Sequence, residues 1–288
     1  MRTNIEISNI THHIANDFFV EGISDMDNVN KYKTKILTRD FYSIHEATIS
    51  NNIQAIPFYS NHFLIVEDYD LVKINQITDG FIEPFDETDS RKSKPTSKFL
   101  VFKYKNGRVI LFHDFLCNFR NSPKLFIFHS VQSFSYLLKS LSLLNENHVC
   151  FFDFSSKNIV FDLECGEKPI IQNFSYSLHI SQLNEEYISN IIQKVDDYTY
   201  KPLEVHVLFY LIKNDMSTIS FSFIEEICEV FIDKSTILSL FSQSYRENYK
   251  ELCKKSLAKY INKPKSCIIH DILQKHVSWD IYSISVLY

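Results

Sequence analysis

The residues with the most chemistry to offer lie in one stretch, Phe151-Phe152-Asp153-Phe154-Ser155-Ser156-Lys157-Asn158-Ile159-Val160-Phe161. An acid is followed five residues later by an amide, and then by a short apolar strand. A carboxylate and an amide on one loop can orient an acceptor hydroxyl and ligate a magnesium ion, two requirements of phosphoryl transfer. Alone, this spacing arises by chance in many chains. Here a helix-like segment precedes it. Asn173-Phe174-Ser175, Lys201-Pro202-Leu203-Glu204 and Trp279-Asp280 follow it in order. Upstream stand Phe19-Val20-Glu21-Gly22, a Lys33/Lys35 pair in Tyr32-Lys33-Thr34-Lys35-Ile36-Leu37, and Glu46.

These residues need elements to hold them. Tyr32 to Leu37 reads as a strand. Residues 40–54 read as an amphipathic helix with Asp40 as its N-cap. Phe63-Leu64-Ile65-Val66 is a short apolar strand, and 86–98 is a charged, Pro-containing, linker-like loop. The apolar runs Phe99–Tyr104 and Arg108–Phe112 flank Asn106-Gly107, which predicts a hairpin turn. Apolar positions recur at three and four across 126–146, a buried helix. Further helical patterns cover 184–196, 203–213, 222–232, 236–260 and 267–276. Strand signals therefore concentrate before about residue 115 and helix signals after it, giving an α+β chain with a strand-containing small lobe and a helical large lobe.

Bulk properties narrow the function classes. The chain has 288 residues, 45% of them apolar, enough for a sizeable core. A net charge of −5 leaves no global basic surface, so no nucleic-acid partner is expected. No apolar run approaches the ~20 residues that span a bilayer, and the N-terminus lacks a signal core. The expectation is a cytoplasmic protein with no membrane partner. Cys117, Cys150, Cys165, Cys228, Cys253 and Cys267 form no C-x-x-C pair and have no His at zinc spacing. They read as reduced thiols, with neither zinc nor haem expected. The 4 glycines are too few for several phosphate-cradling loops.

Taken in order, the motifs resemble the eukaryotic-type protein kinases in a divergent, pseudokinase-like form, most similar to kinase-like proteins of large DNA viruses. The resemblance implies a two-lobed fold. Its N-lobe would cover 1–104 with the hinge at its end. A helical C-lobe would cover 105–288, with an unusual insertion at about 214–276 and an incomplete end. Gly22 falls where a glycine-rich nucleotide loop would be. Lys35, or Lys33 on the same face, resembles the phosphate-contacting Lys, with Glu46 as its helix partner. Lys103, Tyr104 and Lys105 fall at the hinge, whose backbone groups hold adenine. Asp153 takes the place of the catalytic base, and Asn158 and Asn173 those of the magnesium ligands. Glu204 corresponds to the Glu closing the activation segment. Asp280 corresponds to an Asp that hydrogen-bonds the catalytic-loop backbone.

No motif is intact. Phe151-Phe152 replaces His-Arg, Ser155 replaces the Lys that contacts the moving phosphoryl group, and Asn173 replaces an Asp. Glu204 and Asp280 are also separated by a far longer stretch than the family pattern has. ATP and magnesium binding is therefore expected to be weakened. The leading expectation is a degenerate kinase-like domain with weak or no phosphotransfer, acting by binding partners, in the host cytoplasm if viral. An active Ser/Thr kinase with a protein substrate, and an interaction protein with no nucleotide site, are the alternatives.

Overall fold

The computed structural model describes residues 19–20, 32–73, 98–164, 166–195 and 199–288. Gly22, and all of the 86–98 stretch except Lys98, lie outside them. The described chain is mixed α+β, with a small strand-rich N-terminal region and a helical C-terminal part. It forms two units. One runs to Ile110 and adds Val160–Ser175; the other is Leu111–Ile159 with Tyr176–Tyr288. The expected division at 104/105 left 160–175 with the helical half, whereas strand pairing draws those residues into the first unit.

In the first unit, β1 (Phe19–Val20), β2 (Tyr32–Thr38), α1 (Phe41–Gln54), β3 (Phe63–Leu64), β4 (Val66–Lys73) and β5 (Lys98–Lys105) follow in sequence. Asp40 starts α1 with a capping box: its carboxylate accepts from the Ser43 N–H at 2.9 Å, and the Ser43 hydroxyl oxygen accepts from the Asp40 N–H at 3.0 Å. The main sheet has the order β1-β2-β5-β4, all antiparallel. Leu100, Phe102 and Tyr104 of β5 stand opposite Leu37, Lys35 and Lys33 of β2. Directly opposed residues share a face. Leu100, Phe102 and Tyr104 pack with Ala47 of α1 and Val66, so Lys33 and Lys35 lie on the helix-bearing face.

A second sheet has the order β3-β9-β8-β6, with β6 (Val109–Leu111), β8 (Ile159–Asp162) and β9 (Lys168–Gln172). The expected hairpin across Asn106-Gly107 does not form. Both edges of β5 are taken by β2 and β4, so no edge remains for β6, which pairs with β8 instead. The expected single strand Phe63–Val66 is likewise split. Phe63 and Leu64 run parallel to β9, while Val66 opens β4 beside β5.

The second unit holds α2 (Phe112–Cys117), α3 (Pro123–Glu146), β7 (Val149–Cys150), β10 (Leu178–His179), α4 (Glu185–Lys194), α5 (Leu203–Lys213), α6 (Phe221–Lys234), α7 (Gln243–Leu257), α8 (Lys265–Leu273) and α9 (Trp279–Leu287). Asn184, Ser220 and Ser242 cap α4, α6 and α7 through their side chains. The expected helix over 236–260 is interrupted. Leu238–Leu240 is a 3-10 turn, Phe241 is extended, and Ser242 starts α7 afresh. Ile224, Phe231, Leu257 and Ile268, from the stretch expected as an insertion, share one core with Ile188 of α4 and Leu208 of α5. Among the described residues, no helix is long and apolar enough to cross a membrane.

Candidate functional site

The loop after β7 is built around a backbone reversal. The Asp153 N–H donates to the Phe151 carbonyl at 2.7 Å, and Phe152 between them has φ of 62°. This is a γ-turn centred on a bulky residue in left-handed space, at a cost on the order of 1–3 kcal/mol. Three side chains offset that cost with four hydrogen bonds. Asp280, in the first turn of α9, accepts from the Phe151 N–H at 2.7 Å and the Phe152 N–H at 2.8 Å. The Ser177 hydroxyl donates to the Phe151 carbonyl at 3.1 Å. The Lys201 ammonium donates to the Phe152 carbonyl. A hydrogen bond to a charged group contributes about 1.5–3 kcal/mol, so the Asp280 pair alone outweighs the strain.

Asp153 leaves this turn half-buried, its side chain 20% exposed. Asn158 follows at the end of a short 3-10 turn, Ser156–Asn158, that feeds β8. Its amide nitrogen donates to the Asp153 carbonyl at 2.8 Å and to one Asp153 carboxylate oxygen at 3.0 Å. The Lys201 ammonium stands 4.0 Å from the other carboxylate oxygen. It also lies 5.0 Å from the centre of the Phe152 ring. Burial pushes the Asp280 carboxyl up from its ordinary value, against the pull of the Phe152 and Phe151 N–H groups and of Lys201. Burial, then the charge of Asp280, pushes the Cys150 thiol well up, so it is no thiolate nucleophile.

The first unit carries its own set. Glu46 is 3% exposed on α1 and accepts from the Tyr104 hydroxyl at 3.2 Å. Tyr104 stands opposite Lys33, and Phe102 opposite Lys35, so both lysines share the face from which Glu46 is reached. Lys103 points to the opposite face and pairs with Asp68 and Asp70 at 2.9 Å each. Lys103 and Tyr104 are flanked by β2 and β4, so their backbone groups face sheet neighbours. Lys105, at the end of β5, is paired with Tyr32 on one side. Asn173 follows β9 with φ of 64°, a conformation Asn tolerates better than most residues, and its side-chain oxygen accepts from the Ser175 hydroxyl at 2.7 Å. Phe174 is fully buried edge-on against Phe63.

Asp153, Asn158 and Asp280 thus meet in the second unit. Lys33, Lys35, Glu46 and Tyr104 share one face in the first. Glu204 lies in the first turn of α5, where a negative charge suits the helix N-terminus. Among the described residues no Lys or Arg forms an ion pair with it. Gly22 lies outside the described residues. Sequence reasoning missed Lys201 and Ser177. A lone Lys before a Pro reads as a surface residue, because Lys is almost never fully buried unless paired. Among the described residues, no group of three or more His, Cys, Asp or Glu forms a metal cluster. The side-chain oxygens of Asn158 and of Asn173 are neutral, weaker donors for a hard cation than a carboxylate. No protein-family model matches the chain, and no curated protein matches it.

Proposed function

We propose that this chain is a protein kinase-like domain whose nucleotide chemistry has decayed, and that it acts by binding partners, with weak or no phosphotransfer. The observation that carries the reading is the carboxylate of Asp280 gripping the backbone of Phe151 and Phe152 directly ahead of Asp153. That is the long-range contact the kinase resemblance implies for Asp280, between residues 129 and 128 positions apart. Support comes from Asn158 folded back onto Asp153, and from lysines on a strand sharing a face with a buried Glu on the next helix.

In this reading, the second unit's Asp153 would orient a hydroxyl and its Asn158 would ligate magnesium; in the first unit, taken by itself, Asn173 would be a magnesium ligand and Lys35 or Lys33, with Glu46 behind it, a phosphate contact. Bound magnesium would supply charge neutralisation for the phosphates. Two features weaken it. Both metal ligands are amides, and Ser155 brings no cation to the loop. Each lost charge contact costs about 3 kcal/mol in transition-state stabilisation. A binding role is supported by the start of α3, where Ile127, Phe128 and Val131 are 61%, 58% and 60% exposed, an apolar surface of the kind protein partners cover.

The test is thermal unfolding with ATP and magnesium. Saturation at 100 times the dissociation constant adds about 2.7 kcal/mol. A magnesium-dependent rise at millimolar ATP, enlarged by Asn173→Asp and lost in Lys35→Ala combined with Lys33→Ala, is expected. No rise in wild type or in Asn173→Asp would overturn the nucleotide reading and favour an interaction protein without such a site.

A further inference from the structure

We infer that Lys201 is the built-in counter-ion of Asp153 and the positioning residue that locks its loop. The kinase-like reading assigns Lys201 no role, and the inference holds whether or not nucleotide binds.

The Lys201 side chain is 2% exposed, against 20% for Asp153. Taking an ammonium out of water costs several kcal/mol, so it persists only where an anion and acceptors meet it. Here the Phe152 carbonyl accepts from it, the Phe152 ring lies beneath it at 5.0 Å, and an Asp153 carboxylate oxygen stands at 4.0 Å. Asp280 is a second buried acid in its field, already held by the Phe151 and Phe152 N–H groups. The Asp153 carboxylate stands within ion-pair reach of the ammonium. The second Asp153 oxygen faces the Asn158 amide, so protein donors face both oxygens.

Two consequences follow. The left-handed Phe152 presents its carbonyl to a cation from 49 residues downstream, which ties the segment before α5 to the Asp153 loop. The loop also receives from outside itself the positive charge that Ser155 does not provide. Lys157 does not take this place, because it is exposed.

The experiment is a double-mutant cycle in the full chain, read by thermal unfolding with no nucleotide present. Asp153→Asn keeps shape and removes the charge. It is expected to lower Tm by about 5 °C or more, because the buried ammonium loses the carboxylate within ion-pair reach of it. Adding Lys201→Met is expected to restore a large part of that loss. Effects of the two substitutions that simply add would overturn the inference. If Lys201→Met fails to fold, reductive methylation of wild type and Asp153→Asn decides. Lys201 is expected to be protected in wild type and modified in Asp153→Asn. Equal modification in both, or equal protection in both, would show that Asp153 is not its counter-ion. Because ATP takes no part, this outcome is separate from the fate of the nucleotide reading.

Discussion

At the scale of single residues, Asp280 carries the heaviest structural duty. Asp280→Ala leaves the buried N–H groups of Phe151 and Phe152 without acceptors and releases a strained turn. Each unsatisfied group costs about 1–3 kcal/mol, so a loss of roughly 3 kcal/mol or more in urea unfolding is expected. A loss within 0.5 kcal/mol, the usual range for surface substitutions, would contradict the clamp. Away from the loop, Asp271 gives a pH test. Its hydrogen bonds from Lys259 and then Tyr260 lower its carboxyl from 3.8 to about 2. A depressed carboxylate stabilises the fold above its unfolded value and loses that contribution as pH falls through its folded value. Asp271→Asn should therefore be less stable than wild type at neutral pH, with the gap in urea midpoint closing between about pH 4 and pH 2. A gap that does not change with pH would rule out the ion pair as its source. Asp280 has the opposite sign: its carboxyl is raised by burial, so its titration contributes stability at low pH that fades as pH rises through the folded value. The sequence singles out Asp153 and Asn158 by their spacing and Asp280 by its place in the order of motifs, and the chain brings those three together. Nothing in the sequence marks Lys201, because burial of a charge is a property of its neighbours.

At the scale of elements, local signals with a complete mechanism read well. The Asp40/Ser43 box places the start of α1, and both of its hydrogen bonds form. Asp40→Ala should cost about 0.5–2 kcal/mol, measured by chemical denaturation, while substitution of exposed Thr48 should cost far less. Equal costs would mean that the box adds nothing to stability. Signals that depend on a partner strand read poorly. Asn106-Gly107 has the residues of a hairpin turn, but which edge is open to β6 is decided by β2 and β4, far away in sequence. The split of Phe63–Val66 has the same cause, since pairing with β9 and with β5 pulls its two halves into different sheets. The break before α7 was hidden because Leu238, Leu240 and Phe241 continue an apolar pattern that the backbone does not follow.

At the scale of the whole molecule, the shift from strands to helices was legible from apolar periodicity alone. The return of Val160–Ser175 to the first unit was not, because it depends on long-range strand pairing. The proposed function rests on the Asp280 clamp and the Asp153–Asn158 loop, with Asn173 and Ser155 standing where the kinase resemblance implies an Asp and a Lys. Two losses of about 3 kcal/mol each lower a rate by roughly four orders of magnitude. The most direct test of that claim is a radiolabelled-ATP transfer assay with magnesium, comparing purified wild type with Asp153→Ala. The account predicts wild-type turnover far below the ~1 s⁻¹ of ordinary kinases, and little further loss in the variant. Turnover near 1 s⁻¹ that vanishes in Asp153→Ala would contradict it and establish an active kinase.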